Sequence, residues 1–122
     1  MTRTTKIADK YEISIFIGSK NEVTGEFFTK SDLIKEIANF QSNYKNDRFF
    51  TVRVTDTTYV SGKEYSEDGW QITAIQYPRA PSEEWHIRRF VSEMAQALQV
   101  IFSQNRVCVM DDTKIVLMER SY

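Results

Sequence analysis

The chain has 122 residues, of which 41% are hydrophobic and 27% charged, and its net charge is −1 at pH 7. That size and composition predict one globular domain of a soluble class, and the near-neutral charge argues against a duplex-DNA binder, which normally has a basic surface. A single cysteine excludes an intramolecular disulfide, and one cysteine with one histidine cannot supply a zinc site. No stretch approaches the roughly 20 apolar residues of a membrane span. We therefore expect a cytoplasmic protein without a metal, a cofactor or membrane contact.

The first predicted strand begins near Tyr11. Ile13, Ile15 and Ile17 alternate there with polar residues, which is the pattern of a half-buried strand. Phe16 interrupts the polar side of the alternation, so one aromatic ring is expected on the face turned away from the core.

The first predicted helix covers residues 31–44, after a connection rich in turn-forming residues. Thr29 with Asp32, or Ser31 itself, can cap its first amides. Its apolar residues recur at helical spacing and form one stripe, made of Leu33, Ile37, Phe40 and Tyr44.

The middle of the chain predicts a long β-hairpin. A turn signal over 61–64 separates a strand that starts near Phe50 from a second strand over 70–77. In the first strand, Val52 and Val54 should face inward and Arg53 outward, because successive side chains of a strand point to opposite faces.

The longest periodic signal predicts a second helix over 82–104. Ser82 is the expected cap, and acidic residues in the first turn suit the helix dipole. Short strands over 106–110 and 114–118 follow, as a terminal hairpin or as one bent edge strand. The apolar stripe of the helix consists of Ile87, Phe90, Val91, Met94, Ala97, Leu98, Ile101 and Phe102.

The order of these elements predicts an α+β fold of the ferredoxin-like, split βαβ type. Two helices should pack on one face of a mostly antiparallel sheet of four or five strands, with the first and third strands adjacent at its centre. We expect a single domain over residues 10–119, between a flexible N-terminal tail over 1–9 and a C-terminal tail over 120–122.

Such a sheet has a second face, and the alternation predicts which side chains lie on it. If the helices cover Ile13, Ile15, Val52 and Ile72, the opposite face is a candidate interface or ligand-binding surface. Three interpretations stay open: a second copy packs on this face, a base or nucleotide stacks on Phe16 and Tyr77 with Arg53 or Arg48 on phosphate, or the N-terminal tail or loop 18–28 covers it. The side chains predicted on this face are Phe16, Phe49, Arg53, Ile75 and Tyr77.

The sequence contains no recognisable catalytic group. His86 and Cys108 could form a thiol–imidazole pair only if the fold brought them together, and they are otherwise a solvated helix residue and a buried small side chain. Asp111 and Asp112 lie in a predicted turn, where adjacent acids are usually solvated. No glycine-rich phosphate loop is present.

Arg79, Arg88 and Arg89 form a basic cluster near the start of the second helix, where a helix N-terminus can bind an anion. They could hold a small phosphate-containing ligand. The alternative is that they pair with acidic side chains on the surface.

Two family resemblances follow from these segments. Ile15–Gly18 resembles the shorter ribonucleoprotein motif of RNA-recognition domains, but segment 68–75 lacks the alternating aromatics of the longer motif. The order of segments from Tyr11 to Val107 resembles uncharacterised tautomerase-like proteins of the ferredoxin-like type. Tautomerases use an N-terminal proline as base, and here Met1 is followed by Thr2, so the resemblance implies the fold without its catalytic residue.

From these observations we predict a non-enzymatic binding or assembly protein that forms a homo-oligomer. It would suit a bacterial or phage accessory protein that sequesters a small ligand or blocks a partner protein. The alternatives are binding of nucleotides or single-stranded nucleic acid on the aromatic sheet face, and a tautomerase-like enzyme without the usual proline.

Overall fold

The computed structural model describes residues 2–44 and 49–122. The strands form one antiparallel sheet in the order β2-β3-β1-β4-β5, and both helices pack on one face of it, which confirms the predicted ferredoxin-like α+β fold. Among the described residues, no helix is long and apolar enough to cross a membrane. The elements in chain order are β1 (Glu12–Gly18), α1 (Lys30–Ser42), β2 (Val52–Val60), β3 (Ser66–Ile75), α2 (Glu84–Ile101), β4 (Arg106–Met110) and β5 (Ile115–Glu119).

The core lies between α2 and the inward face of the central strands. Ile15 of β1 pairs with Ile72 of β3 and Val109 of β4, and all three side chains are buried. Phe90 of α2 is fully buried, and three further aromatic rings lie within 5.5 Å of its own. The alternation predicted for β1 is therefore confirmed, since Ile13 and Ile17 also lie under the helices.

The two helix starts differ in their capping. Thr29 and Asp32 form a capping box, in which each side chain accepts a hydrogen bond from the other residue's backbone N–H. The prediction that Ser82 caps α2 is wrong: the N-cap is Glu83, without a side-chain hydrogen bond. The Ser82 backbone is instead bound by the Gln76 side chain, which accepts from its N–H at 2.7 Å and donates to its carbonyl oxygen.

Several element boundaries differ from the prediction, among them the start of β2, which is Val52 where a start near Phe50 was predicted. Strand β3 begins at Ser66, four residues before the predicted start, because the hairpin pairs Val60 with Ser66 around a turn that contains Gly62 at φ 77°. Helix α2 is shorter than the predicted 82–104. Helix α1 ends at Ser42, two residues before the predicted end at residue 44. The last two strands form the terminal hairpin, so the alternative of one bent strand is wrong.

Asp111 closes that terminal hairpin and is not the solvated turn residue expected from the sequence. Its Oδ1 accepts hydrogen bonds from the N–H groups of Thr113 and Lys114, and its Oδ2 accepts one from the Tyr11 hydroxyl at 3.0 Å. The Arg88 guanidinium lies 4.0 Å from the same oxygen. The backbone N–H of Thr113 makes the largest contribution in lowering the pKa of Asp111 to about 2.

This depressed pKa predicts a loss of stability in acid. The carboxylate has a lower pKa folded than unfolded, so its contribution is complete above the unfolded value of 3.8 and is lost as pH falls through about 2. A shift of this size corresponds to about 2 kcal/mol of unfolding free energy. In urea titrations, Asp111→Asn should be less stable than wild type at pH 5, and the difference should nearly vanish at pH 2. A constant difference would contradict this role.

Candidate functional site

The face of the sheet opposite the helices, here called the open face, carries the five predicted site residues. Phe49, Ile75 and Tyr77 are 54%, 44% and 56% exposed, so neither the N-terminal tail nor loop 18–28 covers them. Phe28 of that loop instead stacks on Phe102 of the core at 3.9 Å. The interpretation in which the chain covers its own face is therefore wrong for this part of the sheet.

The structure divides the predicted residues between two clefts. Phe16 lines one cleft, and Phe49, Arg53, Ile75 and Tyr77 line another, of about 530 Å³. Phe16 pairs with Gln71 of β3, and Tyr77 lies six residues after Gln71 in the chain. At about 3.3 Å per residue, Phe16 and Tyr77 are therefore about 20 Å apart. One base cannot stack on both rings. Arg53 lies 3.9 Å from the Glu12 carboxylate, and Arg48 lies outside the described residues.

The cleft that contains Phe16, here called the glycine cleft, has a volume of about 650 Å³. It lies where Gly18 of β1 and Gly69 of β3 pair across the sheet. The absence of two side chains at adjacent positions opens the sheet surface to larger groups from neighbouring strands. The other residues that line the cleft are Phe16, Ile17, Glu22, Tyr59, Tyr65, Glu67, Gln104, Asn105, Arg106, Cys108, Glu119, Arg120, Ser121 and Tyr122.

Glu67 lies across this glycine pair and is held from two sides. Its Oε2 accepts a hydrogen bond from the Ser19 N–H at 3.0 Å, and its Oε1 accepts one from the Tyr65 hydroxyl at 2.9 Å. A methyl group at Gly18 would lie 1.6 Å from Oε2, so the carboxylate occupies the space that this glycine leaves empty. Glu67 is a half-buried acid with a fixed direction in a cleft.

Tyr59 lies beside Glu67, opposite it in the hairpin register. Its ring passes over Gly69, where a methyl group would lie 2.7 Å from the ring carbon Cε2. Its hydroxyl donates to the Trp70 carbonyl oxygen at 2.8 Å. Burial raises the pKa of Tyr59 to about 12, so the phenol stays protonated at neutral pH and offers a neutral aromatic surface.

Charges of both signs line the rest of the cleft. Glu22 and Glu119 add carboxylates. The Arg106 guanidinium lies 3.5 Å from the Glu119 carboxylate. The Arg120 guanidinium lies 5.5 Å from the centre of the Tyr122 ring, whose hydroxyl donates to the Gln99 carbonyl oxygen. The cleft can therefore accept a ligand that combines an aromatic group with positive and negative charges.

Two other predicted candidates, Cys108 and His86, lie apart in the fold. Cys108 is half-buried on the open face, in the glycine cleft, whereas His86 lies on a helix of the opposite face, so the two cannot pair. No metal-binding group of His, Cys, Asp or Glu occurs among the described residues. Arg88 lies 4.0 Å from Asp111 and Arg89 lies 3.3 Å from Glu93, and anion binding by Arg79, Arg88 and Arg89 stays a prediction.

The sequence analysis missed Glu67 and Tyr59. Residue 67 falls between the predicted turn over 61–64 and the predicted strand over 70–77, and no role was predicted for Tyr59. The signal that could have identified them is the pair of glycines: Gly69 directly before the predicted third strand and Gly18 at the end of the first, on strands predicted to be adjacent.

The fold is shared along its whole length with solved structures of an enzyme. A phage SAM lyase in complex with S-methyl-5′-thioadenosine superposes with a TM-score of 0.73 and 13% identity, covering 100% of this chain and 98% of that one. The apo state of a phage SAM lyase gives a TM-score of 0.74 and 15% identity, covering 99% and 98%. No family model matches the chain, and no curated protein does.

These comparisons correct the predicted function. We expected a non-enzymatic binding or assembly protein, but the fold that the chain shares from end to end is that of an enzyme with a small nucleoside-type ligand. The expectations of a small ligand and of a bacterial or phage protein are compatible with them. The expectation that the chain is not an enzyme is overturned.

Proposed function

We propose that this protein cleaves S-adenosylmethionine (SAM) as a lyase, with the glycine cleft as its active site. The observation that carries the proposal is the fixed Glu67 carboxylate in a cleft of about 650 Å³, on a fold that matches a phage SAM lyase over its full length. The proposal keeps the predicted alternative of a nucleotide-type ligand on an aromatic sheet face, and moves it from the Phe16–Tyr77 pair to the rings of Phe16, Tyr59 and Tyr65.

The chemistry of SAM suits the lining of the cleft. SAM has an adenine ring, a sulfonium cation, an ammonium group and a carboxylate. Aromatic rings provide stacking surfaces for adenine, Glu67 provides an anion toward the cations, and Arg106 or Arg120 can pair with the carboxylate. A half-buried carboxylate attracts a cation more strongly than an exposed one does, because water screens it less.

The lyase reaction breaks the bond between the sulfonium sulfur and the γ-carbon of the methionine part. The bonding electron pair moves to sulfur, which leaves as neutral S-methyl-5′-thioadenosine. The four-carbon fragment becomes either a lactone, when an oxygen of its own ionised carboxylate attacks the γ-carbon and no proton is released, or an alkene, when one β-proton is lost to a base or to water. No water is consumed. Glu67 would hold the sulfonium group, so that the leaving sulfur and the fragment are oriented for one of these routes.

Incubation of the purified protein with SAM tests the proposal. Liquid chromatography should show S-methyl-5′-thioadenosine appearing together with an equimolar four-carbon product, and mass spectrometry should identify that product as lactone or alkene. Homoserine as the initial product would mean hydrolysis, and it would overturn the lyase assignment. Absence of turnover together with absence of calorimetric binding of S-methyl-5′-thioadenosine would overturn the proposal as a whole.

The predicted homo-oligomer and cytoplasmic location stay part of the proposal. The apolar patch, made of Phe49, Ile75 and Tyr77 on the open face, is exposed, and a net charge of −1 gives little repulsion between copies. If a second copy packs here, Tyr77→Glu should dissociate the assembly to single chains of 14.3 kDa in light scattering. A wild-type protein that already has the mass of one chain would exclude the assembly.

A further inference from the structure

We propose that Tyr65 and the Gly18–Ser19 segment are positioning groups for Glu67, and that they give the glycine cleft its preference for cationic over neutral ligands. The inference rests on the proposed function, because it concerns the same carboxylate. It assigns roles to a loop tyrosine and a strand-end glycine, neither of which has to react with the substrate.

The two hydrogen bonds to Glu67 come from separate parts of the chain. The Ser19 N–H follows the end of β1, and the Tyr65 hydroxyl comes from the turn before β3. Each bond occupies one carboxylate oxygen. An ionised carboxylate has about four lone-pair sites, so about two are left for a ligand, and their direction is set by the two donors.

Gly18 makes this arrangement possible. Its backbone is extended strand, so an alanine would not be strained there. The three atoms nearest to the added methyl group would all belong to the carboxylate end of the Glu67 side chain, with Oε2 at 1.6 Å. Since a flexible side chain can rotate away, Gly18→Ala should displace the carboxylate and preserve the sheet. At Gly69, by contrast, a methyl group would meet the Ile17 carbonyl oxygen at 2.3 Å and strain the backbone itself.

A displaced carboxylate should change ligand preference in one direction. The attraction between unit charges falls with distance and with access of water, so a cationic ligand loses affinity when Glu67 moves. A ligand of the same shape without that cation loses much less. Selectivity between the two ligands therefore reports the direction of the carboxylate, whereas general damage to the cleft would weaken both ligands together.

Isothermal titration calorimetry with two uncleaved analogues tests the inference. Sinefungin has an ammonium group where SAM has the sulfonium, and S-adenosylhomocysteine has a neutral thioether there. Wild type should prefer sinefungin, and Tyr65→Phe and Gly18→Ala should each reduce that preference by about fivefold or more, the scale of one charge-assisted hydrogen bond. Thr58→Val is the matched control, because it removes another hydroxyl–carboxylate bond of the same hairpin, to Asp68, outside the cleft.

The outcomes separate this inference from the proposed function. If wild type binds neither analogue, the SAM site itself is wrong. If wild type prefers sinefungin and both variants keep the preference, the site stands and the positioning role is overturned. Equal weakening of both analogues, or a wild type without any preference, also overturns the positioning role.

Discussion

Glu67→Gln is expected to lower kcat/KM for SAM cleavage by about 100- to 1,000-fold, the range for loss of one preorganised electrostatic group in an active site. The amide keeps the size of the side chain, and its oxygen can still accept a hydrogen bond from the Ser19 N–H. It carries no charge to attract the sulfonium group. Initial rates measured by chromatography of S-methyl-5′-thioadenosine give the result directly.

The neighbouring acid supplies the control for this prediction. Asp68 lies next to Glu67 in β3 and points to the other face of the strand, where it accepts a hydrogen bond from the Thr58 hydroxyl. Asp68→Asn removes the same charge and should leave turnover within about twofold, which is under about 0.5 kcal/mol. Circular dichroism should show that both variants are folded. If Glu67→Gln then cleaved SAM as fast as Asp68→Asn does, Glu67 would not be part of the active site.

The fold was predictable because its signals are local. Alternation in β1, the capping box at Thr29 and the apolar stripe of α2 each depend on residues close together in the chain, and the right-handed rules of βαβ connection then fix the strand order. Where local signals competed, the prediction was wrong: Ser82 is a favourable cap residue, but the Gln76 side chain already binds its backbone.

The candidate site was not predictable in the same way, because it depends on pairing between distant strands. Glu67 and Ser19 are separated by 48 residues and meet only through the β1–β3 register that places Gly18 opposite Gly69. A shift of that register by one residue would move the glycine pair and close the space for the carboxylate. The sequence therefore predicted which side chains lie on the open face, Phe16 among them, but it did not show the charged group beside that ring.

The largest stability effect that we expect comes from Phe90, whose ring contacts residues distant in the chain. Phe90 is fully buried at the centre of the core, and its ring lies 5.5 Å from that of Phe40, 4.9 Å from Tyr44 and 5.3 Å from Phe50. Phe90→Ala leaves a cavity between α1, α2 and the sheet and should lower the unfolding free energy by about 3–5 kcal/mol. Domains of this size are stable by only about 5–15 kcal/mol, so urea denaturation followed by fluorescence should show a much lower midpoint.

Phe27→Ala, the same change at a ring that is 68% exposed, should cost less than about 1 kcal/mol. Equal losses in the two variants would mean that the Phe90 ring does not hold the helices to the sheet.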